Sequence, residues 1–212
     1  MRLARIERLR SRIPRFRLVL EGAEPLVVSD EIIARFALSR GDEVSERQRT
    51  EIATAQAEFD ARRIAVNFIS YRPRSVREVA RHLQRKGIAP DIAEQAAERL
   101  RSAGLINDDA FARMFIRDKL QRRSGGQMVL RQKLIEKGVA RAVIDAVLKD
   151  LVTDDVQTDV ATQLVRARIR RQAGSLKRLD PNMRRKKLFD FLMRKGFSSE
   201  IVKKALTATG IG

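Results

Sequence analysis

Residues 79–88 read VARHLQRKGI, from Val79 to Ile88, and the same pattern returns twice. Residues 130–139 read LRQKLIEKGV and residues 188–197 read LFDFLMRKGF. Lys86-Gly87-Ile88, Lys137-Gly138-Val139 and Lys195-Gly196-Phe197 therefore align, and their flanks agree. Eight residues before the glycine stand Val79, Leu130 and Leu188, and four before stand Leu83, Leu134 and Leu192. Five after stand Ile92, Val143 and Ile201. Nine and ten after stand Ala96 and Ala97, Val147 and Leu148, Ala205 and Leu206. Apolar positions at −8 and −4 are successive turns of one helix face. Glycine accepts the left-handed backbone that ends a helix, and the lysine before it faces the negative end of the helix dipole. The positions after the glycine line one face of a second helix. One such stretch is ordinary punctuation; three with all flanks apolar are an internal repeat.

Each repeat has an upstream helix. The first takes the end of a long helix spanning about Ser45 to Ser70, with apolar positions Ile52, Ala55, Phe59, the Arg63 stem, Val66, and Phe68 or Ile69. The second begins near Ala110 and runs through Phe111, Phe115, Ile116 and Leu120. The third runs from about Val160 through Leu164, Val165 and Ile169. Three-helix units close in kind to helix-turn-helix modules result. Their joints carry caps: Ser75 with Glu78 as a capping box, Asp180 before Pro181, and Ser198. Upstream, Phe16 to Leu20 and Leu26 to Val28 form a β-hairpin about Glu21-Gly22-Ala23-Glu24-Pro25, and no other stretch reads as strand. Ser29-Asp30 caps a following helix that Gly41 ends. The expected fold is mainly α, with tandem three-helix repeats in an elongated array behind a small N-terminal hairpin and helix segment. The segment covers residues 1–60 and the repeats cover 61–107, 108–157 and 158–212.

The net charge is +18, and it is unevenly spread. Residues 1–60 hold 11 basic and 11 acidic side chains; residues 61–212 hold 34 basic and 16 acidic, so the whole excess lies there. Such a bias points to a polyanion, with nucleic acid ahead of an anionic membrane. The plain alternative is a basic surface kept for solubility. Each repeat offers a cluster. Arg72, Arg74, Arg81, Arg85 and Lys86 form the first, and Arg122, Arg123, Arg131, Lys133 and Lys137 the second. Arg168, Arg170, Arg171, Lys177, Arg178, Arg184, Arg185, Lys186 and Lys187 form the third and densest, with Arg194 and Lys195 beyond it. Such side chains neutralise phosphates and release counterions. Base stacking is a poor fit: Tyr71 is the one tyrosine, and we expect it in the core.

The chain has no cysteine and one histidine, His82, which excludes thiolate zinc and disulfides and disfavours a catalytic triad. His82 is expected at the surface. Asp108-Asp109 and Asp154-Asp155 stand where helices begin and read as capping acids, not as a metal site. Gly125-Gly126 reads as a turn. No enzyme chemistry, metal or cofactor is expected. Met1 to Arg17 holds seven arginines and one glutamate but lacks the apolar core of a secretory signal, so the chain reads as mature, cytoplasmic and monomeric.

Certain of these residues resemble a known family. Arg72-Pro73-Arg74-Ser75 with Val79, Leu83 and Lys86-Gly87 is similar to the first-repeat signature of the RecX family. Gly104-Leu105-Ile106-Asn107-Asp108-Asp109-Ala110-Phe111-Ala112 resembles its central signature, with Asn107 in place of the first of the family's two aspartates. Gly125, Leu130, Leu134 and Lys137-Gly138-Val139 resemble its second repeat. The resemblance covers about residues 55–207, and the third repeat departs from it by an insertion around Gly174 to Pro181. It implies a modulator, usually an inhibitor, of RecA that lies along the groove of the RecA–single-stranded DNA filament and also meets the phosphate backbone. ATP hydrolysis, strand exchange and SOS coprotease activity of RecA would then be affected. Two other classes compete: a helix-turn-helix repressor or architectural factor acting without RecA, and a nuclease, which the missing carboxylate cluster disfavours.

Overall fold

The structure is a computed structural model that describes residues 1–11 and 13–211, apart from the side chain of Lys177. Its elements run β1 (Leu3–Leu9), β2 (Arg15–Leu20), β3 (Leu26–Val28), α1 (Asp30–Arg35) and α2 (Glu46–Ile69). The helices α3 (Val76–Arg85), α4 (Pro90–Ser102), α5 (Asp108–Gln121), α6 (Gln127–Glu136) and α7 (Arg141–Leu151) follow. The chain closes with α8 (Asp154–Arg171), α9 (Ala173–Lys177), α10 (Pro181–Arg194) and α11 (Ser199–Thr207). It divides into two compact units: residues 1–70 with 79–100, and residues 71–78 with 101–212.

In the first unit a three-stranded antiparallel sheet of order β1-β2-β3 packs on α1 and α2. The hairpin expected at β2–β3 is present, with Phe16 opposite Val28 and Leu18 opposite Leu26. The strand β1 was not expected. It is an edge strand carrying Arg5, Glu7 and Arg8, and charged edges suppress pairing with other chains at the cost of the apolar alternation that marks a strand. Leu3, Leu18, Val28, Ile32 and Ile52 fill the core beneath the sheet. A buried polar link joins sheet to helix. Gln56 Oε1 accepts from the Ser29 amide at 2.7 Å, and Gln56 Nε2 donates to Asp60 at 2.8 Å. Asp60 is also ion-paired with Arg15 on β2 and with Arg63 at 3.4 Å. Burial pushes the Asp60 carboxyl up, but hydrogen bonds from Arg15 and Gln56 and the Arg15 charge outweigh it and hold it below 3.8.

Three details of this unit correct the expectations. The first helix ends at Arg35, not at Gly41, because Ala37 already takes a left-handed backbone with φ 49°. Ser29 is its N-cap, but through backbone geometry alone: its side chain makes no capping bond. In α2, Val66 is 41% exposed while Ala61 and Ala65 are buried, so the second half of the apolar stripe is carried by alanines. Small residues let a helix approach its neighbours closely, and they read as neutral in a hydropathy pattern. His82 is half-buried, its ring stacked on Phe68 of α2 at 3.9 Å between centroids.

The repeat alignment holds at the level of burial for the positions eight and four before and nine and ten after the glycine; at five after, Ile201 is buried but Ile92 and Val143 are half-buried, with Ala93 and Ile144 buried one residue later. Val79, Leu83, Leu130, Leu134, Leu188 and Leu192 are each at most 1% exposed. The paired positions after each glycine are also buried. The three joint glycines share one left-handed conformation, with φ of +86° at Gly87, +78° at Gly138 and +82° at Gly196. A Cβ there would be strained, which is why glycine recurs. The caps at Asn107, Thr153, Asp180 and Ser198 each accept a backbone hydrogen bond from the first turn they precede, and Asp108-Asp109 and Asp154-Asp155 occupy the turns that follow. The insertion of the third repeat forms α9, whose Leu176 is buried in that repeat's core.

Candidate nucleic-acid interface

The second unit shows how successive repeats lock together. Gly126, the N-cap of α6, donates its amide to the Lys195 carbonyl at 2.9 Å, and the Met128 amide donates to the Gly196 carbonyl at 3.2 Å. The Val129 side chain lies over Gly196, where a Cβ would come within 2.7 Å of it. Ser75 repeats the arrangement: its hydroxyl donates to the Lys137 carbonyl at 2.8 Å. Arg77 donates to the Glu136 carbonyl at 3.2 Å, and its stem lies over Gly138. Each joint sets the N-terminal turn of one helix against the carbonyl-bearing C-terminus of another: the leftover carbonyls are met by the Gly126 and Met128 amides at one joint and by the Ser75 hydroxyl and Arg77 guanidinium at the other. Buried Gln157 of α8 completes the second joint, accepting from the Gln127 amide at 3.0 Å and donating to the Gln127 side chain at 3.2 Å. Sequence reasoning missed these joints. The signal was present, since Ser75 and Gly126 both stand twelve residues before their repeat's glycine.

This frame sorts the candidate basic residues. Some have charged or aromatic partners in the protein or are partly buried. Lys137 is ion-paired with Glu78 at 2.6 Å and sits near the Phe111 and Phe115 rings, so its charge serves the joint. Arg131 is paired with Asp145, Arg122 with Asp118 at 2.8 Å, and Arg72 with Glu78 at 3.7 Å. Arg74 is half-buried; burial first and the neighbouring Arg72 charge second lower its pKa, yet a guanidinium stays charged at any physiological pH. Arg168 stacks over Phe191 at 4.3 Å from the ring centroid, and Lys195 lies 6.0 Å from the same ring. Arg184 is half-buried, with its Nε enclosed.

Others face solvent. Arg170, Arg171, Arg178, Arg185, Lys186 and Lys187 are exposed and make no ion pair among the described residues. They cluster where α8 ends, α9 intervenes and α10 begins. Lys177 belongs to α9, but its side chain lies outside the described residues. Arg81, Arg85 and Lys86 on and after α3 are exposed, as are Arg123 and Arg194, and Lys133 is half-buried. Tyr71, expected in the core, is 77% exposed beside Arg72. It ends no apolar stripe, because it lies in the linker after α2. Met183 is also exposed, directly before the basic run of α10. Among the described residues no group of three His, Cys, Asp or Glu could hold a metal ion, and no helix is long and apolar enough to cross a membrane.

Three tandem three-helix units with exposed basic clusters define a basic helical-repeat protein of the helix-turn-helix kind. Residues 61–100, 107–148 and 158–206 match, in order, the first, second and third three-helix domains of RecX. The regulatory protein RecX of Lactobacillus johnsonii is 33% identical over 126 residues, 59% of this chain and 46% of that protein. The regulatory protein RecX of Listeria monocytogenes is 27% identical over 193 residues, 91% of this chain and 70% of that protein. The crystal structure of a regulatory protein RecX, 27% identical, superposes with a TM-score of 0.72 over 95% of this chain and 97% of that one. The chain belongs to the RecX family of regulatory proteins. It spans about half the length of the Lactobacillus relatives it matches.

Proposed function

We propose that this protein binds RecA assembled on single-stranded DNA and lowers RecA activity by occupying the filament, acting by binding and not as an enzyme. The observation that carries this reading is the unpaired basic group at the α8–α10 end of the third repeat. These six residues make no ion pair among the described residues and fall between the end of α8 and the second turn of α10, and unpaired arginines suit bidentate contact with phosphates or carboxylates. The exposed Arg81, Arg85 and Lys86 extend the same chemistry to the first repeat. Family membership supplies the regulatory role. RecA, the SOS response, a cytoplasmic location and a monomeric state are parts of this proposal.

Exposed Tyr71, flanked by Arg72 and Arg74, favours some contact with unstacked bases as well as with phosphates. The test is co-sedimentation of the protein with RecA filaments formed on poly(dT) with a non-hydrolysable ATP analogue. Retention on the filament at a salt concentration that strips it from bare poly(dT) supports the reading. Equal retention on both would favour a DNA-binding protein that acts without RecA.

A further inference from the structure

The three Lys-Gly joints have one backbone geometry but unequal occupancy. Lys137-Gly138 and Lys195-Gly196 are each filled by the first turn of a helix. In both, the residue at the N-cap is small, Ser75 or Gly126, and it donates to the lysine carbonyl. In both, a side chain from the next few residues, Arg77 or Val129, covers the glycine. The Lys86-Gly87 joint has the same φ but is bare. A Cβ at Gly87 would meet nothing within 4 Å, whereas one at Gly138 would meet Arg77 and one at Gly196 would meet Val129. Among the described residues no hydrogen bond reaches the Lys86 or Gly87 carbonyl. Half-buried Ile88 borders it, where Val139 and Phe197 at the filled joints are buried.

We propose that the Lys86-Gly87 joint is a socket for the N-terminal turn of a helix on the partner protein. Its occupant has a serine or glycine at the N-cap and an aliphatic stem two or three residues later. The two filled joints define this chemistry: carbonyls at a helix C-terminus, a glycine floor, and an incoming helix turn that brings donors, backbone amides at Gly126 and Met128 or side chains at Ser75 and Arg77. A second copy of this chain is a poor occupant. The N-termini of α3 and α6 are already engaged, and at α2 the N-cap Ser45 hydroxyl already donates to Gln48 Oε1 at 3.2 Å in its own capping box. The helix α10 begins with Asp180 and Pro181, a carboxylate that repels carbonyls and a residue without an amide hydrogen. At the place twelve residues before its glycine stands Arg184, inside the helix.

This inference rests on the RecA reading, since the RecA filament is the partner offered. The test compares Gly87→Asn with Gly22→Asn. Gly22 also has a left-handed backbone, φ +74°, with nothing within 4 Å, but lies in the β2–β3 turn. Asparagine tolerates that backbone better than other side chains and would fill the socket. Binding to RecA–poly(dT) filaments is expected to weaken at least tenfold in Gly87→Asn and to stay unchanged in Gly22→Asn. Both variants should keep wild-type helicity and affinity for bare poly(dT). Wild-type filament binding by Gly87→Asn overturns the socket. Failure of the unmodified protein to bind filaments overturns the RecA reading and the assigned occupant with it. Concentration-dependent self-association that Gly87→Asn abolishes would give the socket to a second copy, and so would also overturn the proposal.

Discussion

The Ser75 hydroxyl donates to the carbonyl of Lys137, 62 residues away in sequence, while accepting from the Glu78 amide at 3.1 Å. One side chain thus caps α3 and completes the joint after α6. Ser75→Ala removes both bonds and leaves a carbonyl short of a partner. We expect a loss of about 1–2 kcal/mol in urea unfolding, the scale of a helix cap. Ser75→Thr keeps the hydroxyl and should recover most of it.

Gly126 does the corresponding work one repeat later through its backbone amide and its lack of a side chain. Its φ of −83° suits any residue, so glycine is not required by the backbone. A Cβ would instead lie 2.5 Å from the Gly196 carbonyl oxygen. Gly126→Ala should therefore cost about 1–3 kcal/mol, the range for overpacking. Gly174→Ala, in α9 with open space around it, is the control and should be neutral or slightly stabilising. Thermal melts of both variants measure the difference.

The Asp60 link gives the first unit an acid sensitivity. Its folded pKa lies below the ordinary 3.8, so the ionised form is favoured by folding. That contribution is complete above the unfolded value and fades as pH falls through the folded one, below about pH 4. Asp60→Asn leaves Arg15 without its carboxylate and should destabilise the protein by about 1–3 kcal/mol at pH 7. It should also flatten the stability profile below pH 4, as read by urea midpoints across pH.

Leu134 is fully buried in the core of the second repeat with Phe111, Ile116 and Ile144. Leu134→Asp puts an unpaired carboxylate there and should unfold that repeat, with a large loss of ellipticity at 222 nm. Arg185, Lys186 and Lys187, by contrast, make no ion pair among the described residues. Their reversal to glutamate should leave ellipticity unchanged and lower the salt dependence of DNA binding, by roughly 0.7 in slope for each phosphate no longer neutralised.

The helical repeats were legible because their buried positions are leucine, isoleucine and valine at fixed offsets from a glycine. What escaped obeyed other physics. The strand β1 is an edge in which Arg5, Glu7 and Arg8 break up the apolar residues, whereas β2 shows the unbroken run Leu18-Val19-Leu20. The inner face of α2 is packed by Ala61 and Ala65, which no hydropathy stripe marks. Of the basic residues, sequence gives the charge but not the partner. Lys137 and Arg131 are consumed by Glu78 and Asp145, residues 59 and 14 positions away, and only folding reveals the pairing. The solvent-facing third cluster survives because Asp180 is the lone acid between Arg166 and Lys187.

The most direct test of the central claim is the rate of ATP hydrolysis by RecA on single-stranded DNA, titrated with this protein. The rate is expected to fall at well below one molecule per RecA subunit, because a bound molecule blocks filament growth. An unchanged rate under conditions where the protein still binds single-stranded DNA would contradict it.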